Sequence, residues 1–250
     1  MVRMIEIKSP DEIDKMVECG RITRRVLDEL GAAVRPGLST LELDEMAESI
    51  IRAEGAEPAF KGYFGYPATI CASINCEVVH GIPRRDKILR EGDILSIDVG
   101  VRKLGFHGDA ARTFPIGRIS PEARRLMDAC RASLEAGVAQ AVANNRVEDI
   151  SRAIQSVAEK AGFSVVREWV GHGVGRNLHE DPQIPNFVTG KKGPVLEPGM
   201  TLAIEPMVNE GTYKTEILED RWTVVTVDRK LSAHFEDSIL VTKNGPKVLT

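Results

Sequence analysis

The sequence predicts an α+β fold in which two related halves, joined by a pseudo-two-fold relation, surround an antiparallel sheet. Three observations carry that prediction. Ser9-Pro10-Asp11-Glu12 and Ser120-Pro121-Glu122 both read as helix openings, 111 residues apart, with Ser at the N-cap and Pro at the first helical position. Two helical stripes repeat at an offset of 107 residues: Leu43, Met46, Ala47, Ile50 and Ile51 match Ile150, Ala153, Ile154, Val157 and Ala158. The same offset aligns the apolar run 92–98 with 199–205, so that Asp98 and Glu205 close equivalent strands.

Each element follows in order. A helix opens at Ser9. A second begins after Ser39-Thr40, keeps one apolar face at i, i+3, i+4, i+7 and i+8, and stops at Gly55. Residues 91–114, EGDILSIDVGVRKLGFHGDAARTF, read as two strands. Arg102-Lys103-Leu104-Gly105 reads as the hairpin turn between them. A turn centred between Lys103 and Leu104 sets Asp98 opposite Asp109. A third helix opens at Ser120, and the fourth stops at Gly162. After Glu205 the chain makes a long excursion from Pro206 to Leu231 and returns as SAHFEDSILVT. Glu236 there takes a place like that of Asp109, at an offset of 127 rather than 107, and the longer excursion makes up the difference. The expectation is one catalytic domain over residues 1–250, with halves at about 9–118 and 120–250.

The two-fold relation brings Asp98, Asp109, Glu205 and Glu236 towards one centre. Like charges facing each other in a sheet are destabilising, and a buried unpaired carboxylate costs more still. Protonation and metal binding are the two physical outlets. A cluster of four cannot all stay protonated near neutrality, so one or two divalent cations are expected, as in two-metal hydrolases. A nitrogen ligand would turn such a site from magnesium or calcium towards a transition metal. The histidines available are His80, His107, His172, His179 and His234. His172 sits between glycines in VGHGVG, and His179 follows seven residues later in NLHEDP. His80 ends an apolar strand in VVHGIP. His107 and His234 neighbour the acidic strand positions but alternate away from them, and are read as structural.

Composition narrows the function classes. The chain has 250 residues, 42% apolar and 28% charged, with a net charge of −4. That is the balance of a soluble globular protein, and it offers no basic surface for nucleic acid. The start, MVRMIEIKSPDEIDKM, is too charged for a signal peptide, and no apolar run suits a membrane span. Cys19, Cys71, Cys76 and Cys130 form no CxxC pair; reduced, mostly buried thiols in a cytoplasmic protein are expected.

Seven ordered segments carry a resemblance to a known family: GYFGYPATICASIN, VVHGIP, SIDVGV, GFHGDAARTF, VGHGVGRNLHEDPQIPN, LAIEPM and SAHFEDSILVT. Together they resemble a methionine aminopeptidase of type I in its compact bacterial form, over nearly the whole chain. The resemblance implies the pita-bread (creatinase/aminopeptidase) fold and removal of N-terminal methionine from nascent proteins. It implies a dinuclear site: Asp98 on one metal, Asp109 and Glu236 bridging both, His172 and Glu205 completing the other. A metal-bound hydroxide would attack the methionine carbonyl, with the free α-amino group on a metal. Glu205 would shuttle the proton, His179 would hydrogen-bond the carbonyl oxygen, and His80 would contact the scissile amide. Phe60, Tyr63, Tyr66, Cys71, Leu178, Met207 and Trp222 would line the methionine pocket. Phe60 and Leu178 depart from relatives that carry a cysteine and an aromatic residue there. Cobalt, manganese, iron or zinc would suit the ligand set, and a monovalent cation would lie beside Asn75 and Ser232. The partners implied are nascent-chain N-termini near the ribosome, with no nucleic acid or membrane bound, and a monomer.

Three other readings stand beside it. Xaa-Pro dipeptidases share the five ligands but carry a further N-terminal domain. Binding modules of this fold have degraded metal sites, whereas all five positions are intact here. A two-metal phosphatase would need a basic cluster for phosphate, and none neighbours the carboxylates.

Overall fold

The computed structural model describes residues 5–250. Helix α1 (Pro10–Ala33) starts where the Ser9 amide donates to Glu12 Oε2 at 2.8 Å. Helix α2 (Thr40–Ala53) starts in a reciprocal capping box: the Ser39 amide donates to Glu42, and the Glu42 amide donates to Ser39 Oγ at 3.2 Å. Short strands β1 (Glu57–Pro58), β2 (Ile70–Ile74) and β3 (Glu77–Val79) lead to the long hairpin β4 (Ile94–Lys103) and β5 (Phe106–Pro115). Helices α3 (Pro121–Ala139) and α4 (Val147–Lys160) follow. Strands β6 (Ser164–Val165), β7 (Gly171–Gly173), β8 (Glu180–Ile184), β9 (Thr201–Ile204) and β10 (Met207–Asn209) come next. The excursion predicted from Pro206 onwards holds the hairpin β11 (Thr215–Ile217) and β12 (Val224–Thr226). The chain closes with β13 (Ser232–His234), β14 (Glu236–Thr242) and β15 (Gly245–Val248).

The α+β class is as the repeat predicts. One sheet runs β1-β4-β5-β14-β9-β7-β8, with β2 also paired to β4 and β15 to β14. The pairs joining β4, β5, β14, β9, β7 and β8 in this sheet are all antiparallel. Its helix-facing side holds two cores. Leu95, Ile97, Val99, Val101 and Ala110 pack under α1 and α2. Leu202, Ile204, Ile239 and Val241 pack under α3 and α4. Because side chains alternate across a strand, Asp98 and Asp109 point away from the helices, into the concave side of the sheet.

The hairpin register differs from the sequence expectation. The turn is the two-residue Leu104-Gly105, both at positive φ, 54° and 79°, the backbone of the tight turn that matches strand twist. Asp98 therefore pairs with Ala111, and Asp109 with Gly100. The aspartates are diagonal neighbours on one face rather than directly opposed. The shift is an even one, so both carboxylates keep the same side of the sheet.

Asp44 ties α2 to the strand that floors the site. Its Oδ1 accepts the amides of Thr69 and Ile70 at 2.8 and 2.9 Å, and the side chain is buried. Asp44→Ala leaves both amides without a partner and should cost about 3 kcal/mol of stability, since each orphaned buried group forfeits its desolvation energy. The measurement is a urea midpoint at unchanged slope; a loss under about 1 kcal/mol would contradict this bridging role.

Candidate active site

Five neighbouring strands of the sheet, β4-β5-β14-β9-β7, each deliver one side chain to the same place. Asp98 comes from β4, Asp109 from β5, Glu236 from the start of β14 and His172 from β7. Glu205 comes from the residue just past β9, where Pro206 breaks the strand. Asp109, His172 and Glu236 offer ligand atoms that all lie within 4.8 Å of one another. His172 Nε2 lies 3.8 Å from Asp109 Oδ2 and 3.4 Å from Glu205 Oε1.

The electrostatics are those of a site short of positive charge. Burial raises Asp98 well above the usual carboxyl range, and the Asp109 charge adds to it. Burial likewise raises Asp109, Glu205 and Glu236, the last two with further repulsion from Asp109. Burial lowers His172 to about 3, so its imidazole is neutral. Its Nδ1 sits 2.9 Å from the Gly173 carbonyl. An N–H donated there leaves the Nε2 lone pair turned to the carboxylates, as a metal ligand requires. Asp98 Oδ1, Asp109 Oδ1 and Glu236 Oε1 are buried without a hydrogen-bond partner among the described residues. Orphaned carboxylate oxygens around a neutral imidazole fit a divalent cation, and one nitrogen among oxygen donors suits a first-row transition metal.

The cluster floors a cavity of about 370 Å³. Phe60, Tyr63, Tyr66, Cys71, Leu178 and Trp222 line it, together with His80 and His179. Phe60, Tyr66, Cys71 and Leu178 pack as one buried apolar group. Cys71 reaches it because β2 pairs Cys71 with Asp98, on the same face. Met207 lies outside this lining: it is fully buried among Val78, Val79, Val166 and Val224. Asn75 and Ser232 are joined by a backbone hydrogen bond of 2.8 Å, from the Ser232 amide to the Asn75 carbonyl.

Three histidines complete the wall. His179 stacks edge-on against His172 with ring centres 4.3 Å apart, and its Nδ1 lies 2.8 Å from the Tyr63 hydroxyl. Burial lowers His179, and electrostatic repulsion from His107 adds to it. His80 is held at positive φ, 59°, against the Trp169 ring at 4.9 Å, and burial lowers it to about 4. His107 is elsewhere, turned to the Gly175 carbonyl at 3.1 Å. His234, read as structural from its alternation, is at the site: its Nε2 is 3.7 Å from Glu205 Oε2 and has no hydrogen-bond partner among the described residues. Phe235 separates β13 from β14, and that break turns His234 back towards the cluster. Phe64, Val79, Glu168, Trp169, Val170 and Gln183 also line the cavity; as isolated residues they carry no spacing signal that would have marked them.

The sequence profile of metallopeptidase family M24 matches residues 14–243. A methionine aminopeptidase from Clostridium perfringens is 51% identical over 247 residues, covering 99% of each chain. Methionine aminopeptidase 1 from Mycobacterium tuberculosis is 46% identical, covering 99% of this chain and 96% of its own. The crystal structure of a methionine aminopeptidase from Thermotoga maritima superposes with a TM-score of 0.97 at 46% identity, covering 99% of each chain. A prolidase from Pyrococcus furiosus, 22% identical with a TM-score of 0.80, shares the fold; this chain covers 65% of it. By these full-length similarities the chain belongs to metallopeptidase family M24 and, within it, to the methionine aminopeptidases.

Proposed function

We propose that this chain is a metal-dependent aminopeptidase that removes the N-terminal methionine of polypeptides whose second residue is small. One observation carries the reading: three carboxylates with a buried oxygen that has no partner among the described residues, Asp98, Asp109 and Glu236, meet Glu205 and the neutral His172 imidazole at the floor of an apolar cavity. Asp98, Asp109, His172, Glu205 and Glu236 would hold two divalent ions. Manganese, iron, cobalt and zinc all suit these donors. When bound, the ions supply a strong nucleophile at neutral pH and Lewis acidity towards a carbonyl. A monovalent cation beside Asn75 and Ser232 belongs to the same proposal.

The chain's own residues do the rest. Phe60, Tyr66, Cys71, Leu178 and Trp222 surround the methionine side chain and exclude water from it. Burial, with the Asp109 charge, raises the Tyr63 phenol, and in this reading its hydroxyl is the donor to His179 Nδ1. His179 Nε2–H is then free to donate to the substrate carbonyl oxygen as charge develops there. His80, neutral against Trp169, contacts the scissile amide. Glu205 moves the proton from the attacking water to the leaving amine. The full chain works as one catalytic domain, acting as a monomer in the cytoplasm on nascent chains near the ribosome.

The direct test is release of free methionine from a Met-Gly-Met peptide, measured with metal content and against an Ala-Pro dipeptide. Cleavage of Ala-Pro alone would replace this reading with the Xaa-Pro one. Substrate choice gives a second prediction. A wall that excludes a side chain discriminates more strongly than one methylene, which is worth roughly 1–3 kcal/mol. A Met-Arg peptide should therefore fall below Met-Gly by more than about 10²-fold in kcat/KM. Equal turnover of the two would show that no steric limit exists beyond the methionine pocket.

A further inference from the structure

We infer that the buried Lys8–Glu180 ion pair is a positioning device that fixes the loop carrying His179 and Leu178 over the metal floor. The inference rests on the role assigned above to His179. The loop in question, residues 174–179, joins β7 with His172 to β8, whose first residue is Glu180. His179 and Leu178 are thus its last two residues, and a shift of the loop's end moves both the donor and the pocket wall.

The Glu180 carboxylate holds this loop from two sides. Its Oε1 accepts the Asn177 amide at 3.0 Å, closing the loop on itself. Its Oε2 takes the Lys8 ammonium at 2.5 Å. Both side chains are withdrawn from solvent, at 3% and 8% exposure, although the residues are 172 positions apart. The ammonium is anchored in turn. The Lys8 amide donates to the Gly199 carbonyl at 2.9 Å, and the next residue, Ser9, caps α1. Lys8 therefore ties the loop to both the first helix and the segment leading into β9.

Gly175 shows how closely the pair crosses the loop. A Cβ built there would lie 2.5 Å from Lys8 Cε, 2.8 Å from Lys8 Nζ and 2.9 Å from Glu180 Oε1. A side chain there would push the ammonium or the carboxylate aside. The Gly175 carbonyl meanwhile accepts the His107 amide at 2.9 Å, fastening the loop's other end to β5 beside Asp109. Surface ion pairs do little for stability, and a buried one is weak evidence for it. Fixing one register of a catalytic loop is the use this geometry fits, because a donor misplaced by about 1 Å can cost 10²-fold in rate.

The test is Lys8→Met with Glu180→Leu, which removes both charges together and leaves neither buried alone. Its readouts are kcat and KM on a Met-Gly peptide, bound metal, and the ring resonances of His179 in the diamagnetic zinc-loaded enzyme. The expected result is wild-type metal stoichiometry, little change in KM, kcat lower by about 10- to 10²-fold, and His179 signals broadened or shifted. Lys8→Arg, which keeps the ion pair, should retain more than half of the lost rate. Wild-type kcat with unchanged His179 signals in the double variant would overturn the inference, as would loss of metal in place of loss of kcat. His179→Ala run in parallel separates the two claims. If it keeps wild-type kcat, the role of His179 fails, and the ring resonances alone then decide whether the pair positions the loop.

Discussion

Asp98→Asn lowers metal affinity by more than about 10²-fold and takes activity with it, because loss of a mere supporting partner of a ligand already costs 10–100-fold. The substitution keeps the shape of the side chain and removes one negative charge from the floor of the cavity. In the metal-free protein it acts on stability with the opposite sign. Burial first, and then the Asp109 charge, raise Asp98 above the ordinary carboxyl value. Above about pH 4, the unfolded carboxyl range, these carboxyls then hold more protons in the folded chain than in the unfolded one. Their contribution to the stability of the metal-free protein therefore falls as pH rises from there through the raised values, while the buried histidines, lowered by burial, contribute with the opposite sign. Asp98→Asn removes one contributor, so its metal-free form should lose less stability between pH 4 and pH 8 than the wild type. Manganese titration by calorimetry and thermal unfolding with and without a chelator measure both effects. Two ions bound as tightly as in the wild type would remove Asp98 from the ligand set.

Much of this site was legible because strand periodicity is strict. Asp98, Asp109, Glu205 and Glu236 sit at fixed places in apolar runs, and the alternation that buries Leu95, Ile97 and Val99 under the helices turns Asp98 the other way. The register was less legible. Leu104 takes φ 54° in the hairpin turn, a conformation leucine seldom adopts, so the sequence favoured a turn one residue earlier. His234 was hidden by the break at Phe235, since alternation can be counted only along an unbroken strand. Pro206 had a similar effect at Met207, which leaves the main sheet to pair with His234. The Lys8–Glu180 pair had no local signal at all, because nothing in either short segment announces a partner 172 residues away.

His179→Ala should slow the chemical step by about 10²–10³ in kcat, or roughly 2.7–4 kcal/mol, the usual cost of losing one donor to a developing oxyanion. His172→Ala should instead weaken metal binding. The two rings are 4.3 Å apart, and their sequence settings are alike, so a simple reading would make both of them ligands. Their hydrogen bonds separate them. His172 spends Nδ1 on the Gly173 carbonyl and turns Nε2 to Asp109 and Glu205. His179 meets the Tyr63 hydroxyl at Nδ1, and among the described residues its ring has no ion pair with a carboxylate of the floor. With the Tyr63 hydroxyl donating to that Nδ1, as proposed above, Nε2 carries the proton and faces the substrate rather than a metal. Excess metal should therefore restore part of the activity of His172→Ala and none of that of His179→Ala. Tyr63→Phe should give a smaller fall than His179→Ala, since the imidazole remains and only its tautomer is released. The measurement is kcat at saturating substrate across a metal titration for all three variants. Rescue of His179→Ala by metal would make that ring a ligand; near-wild-type kcat without rescue would mean that the oxyanion is held by some other donor.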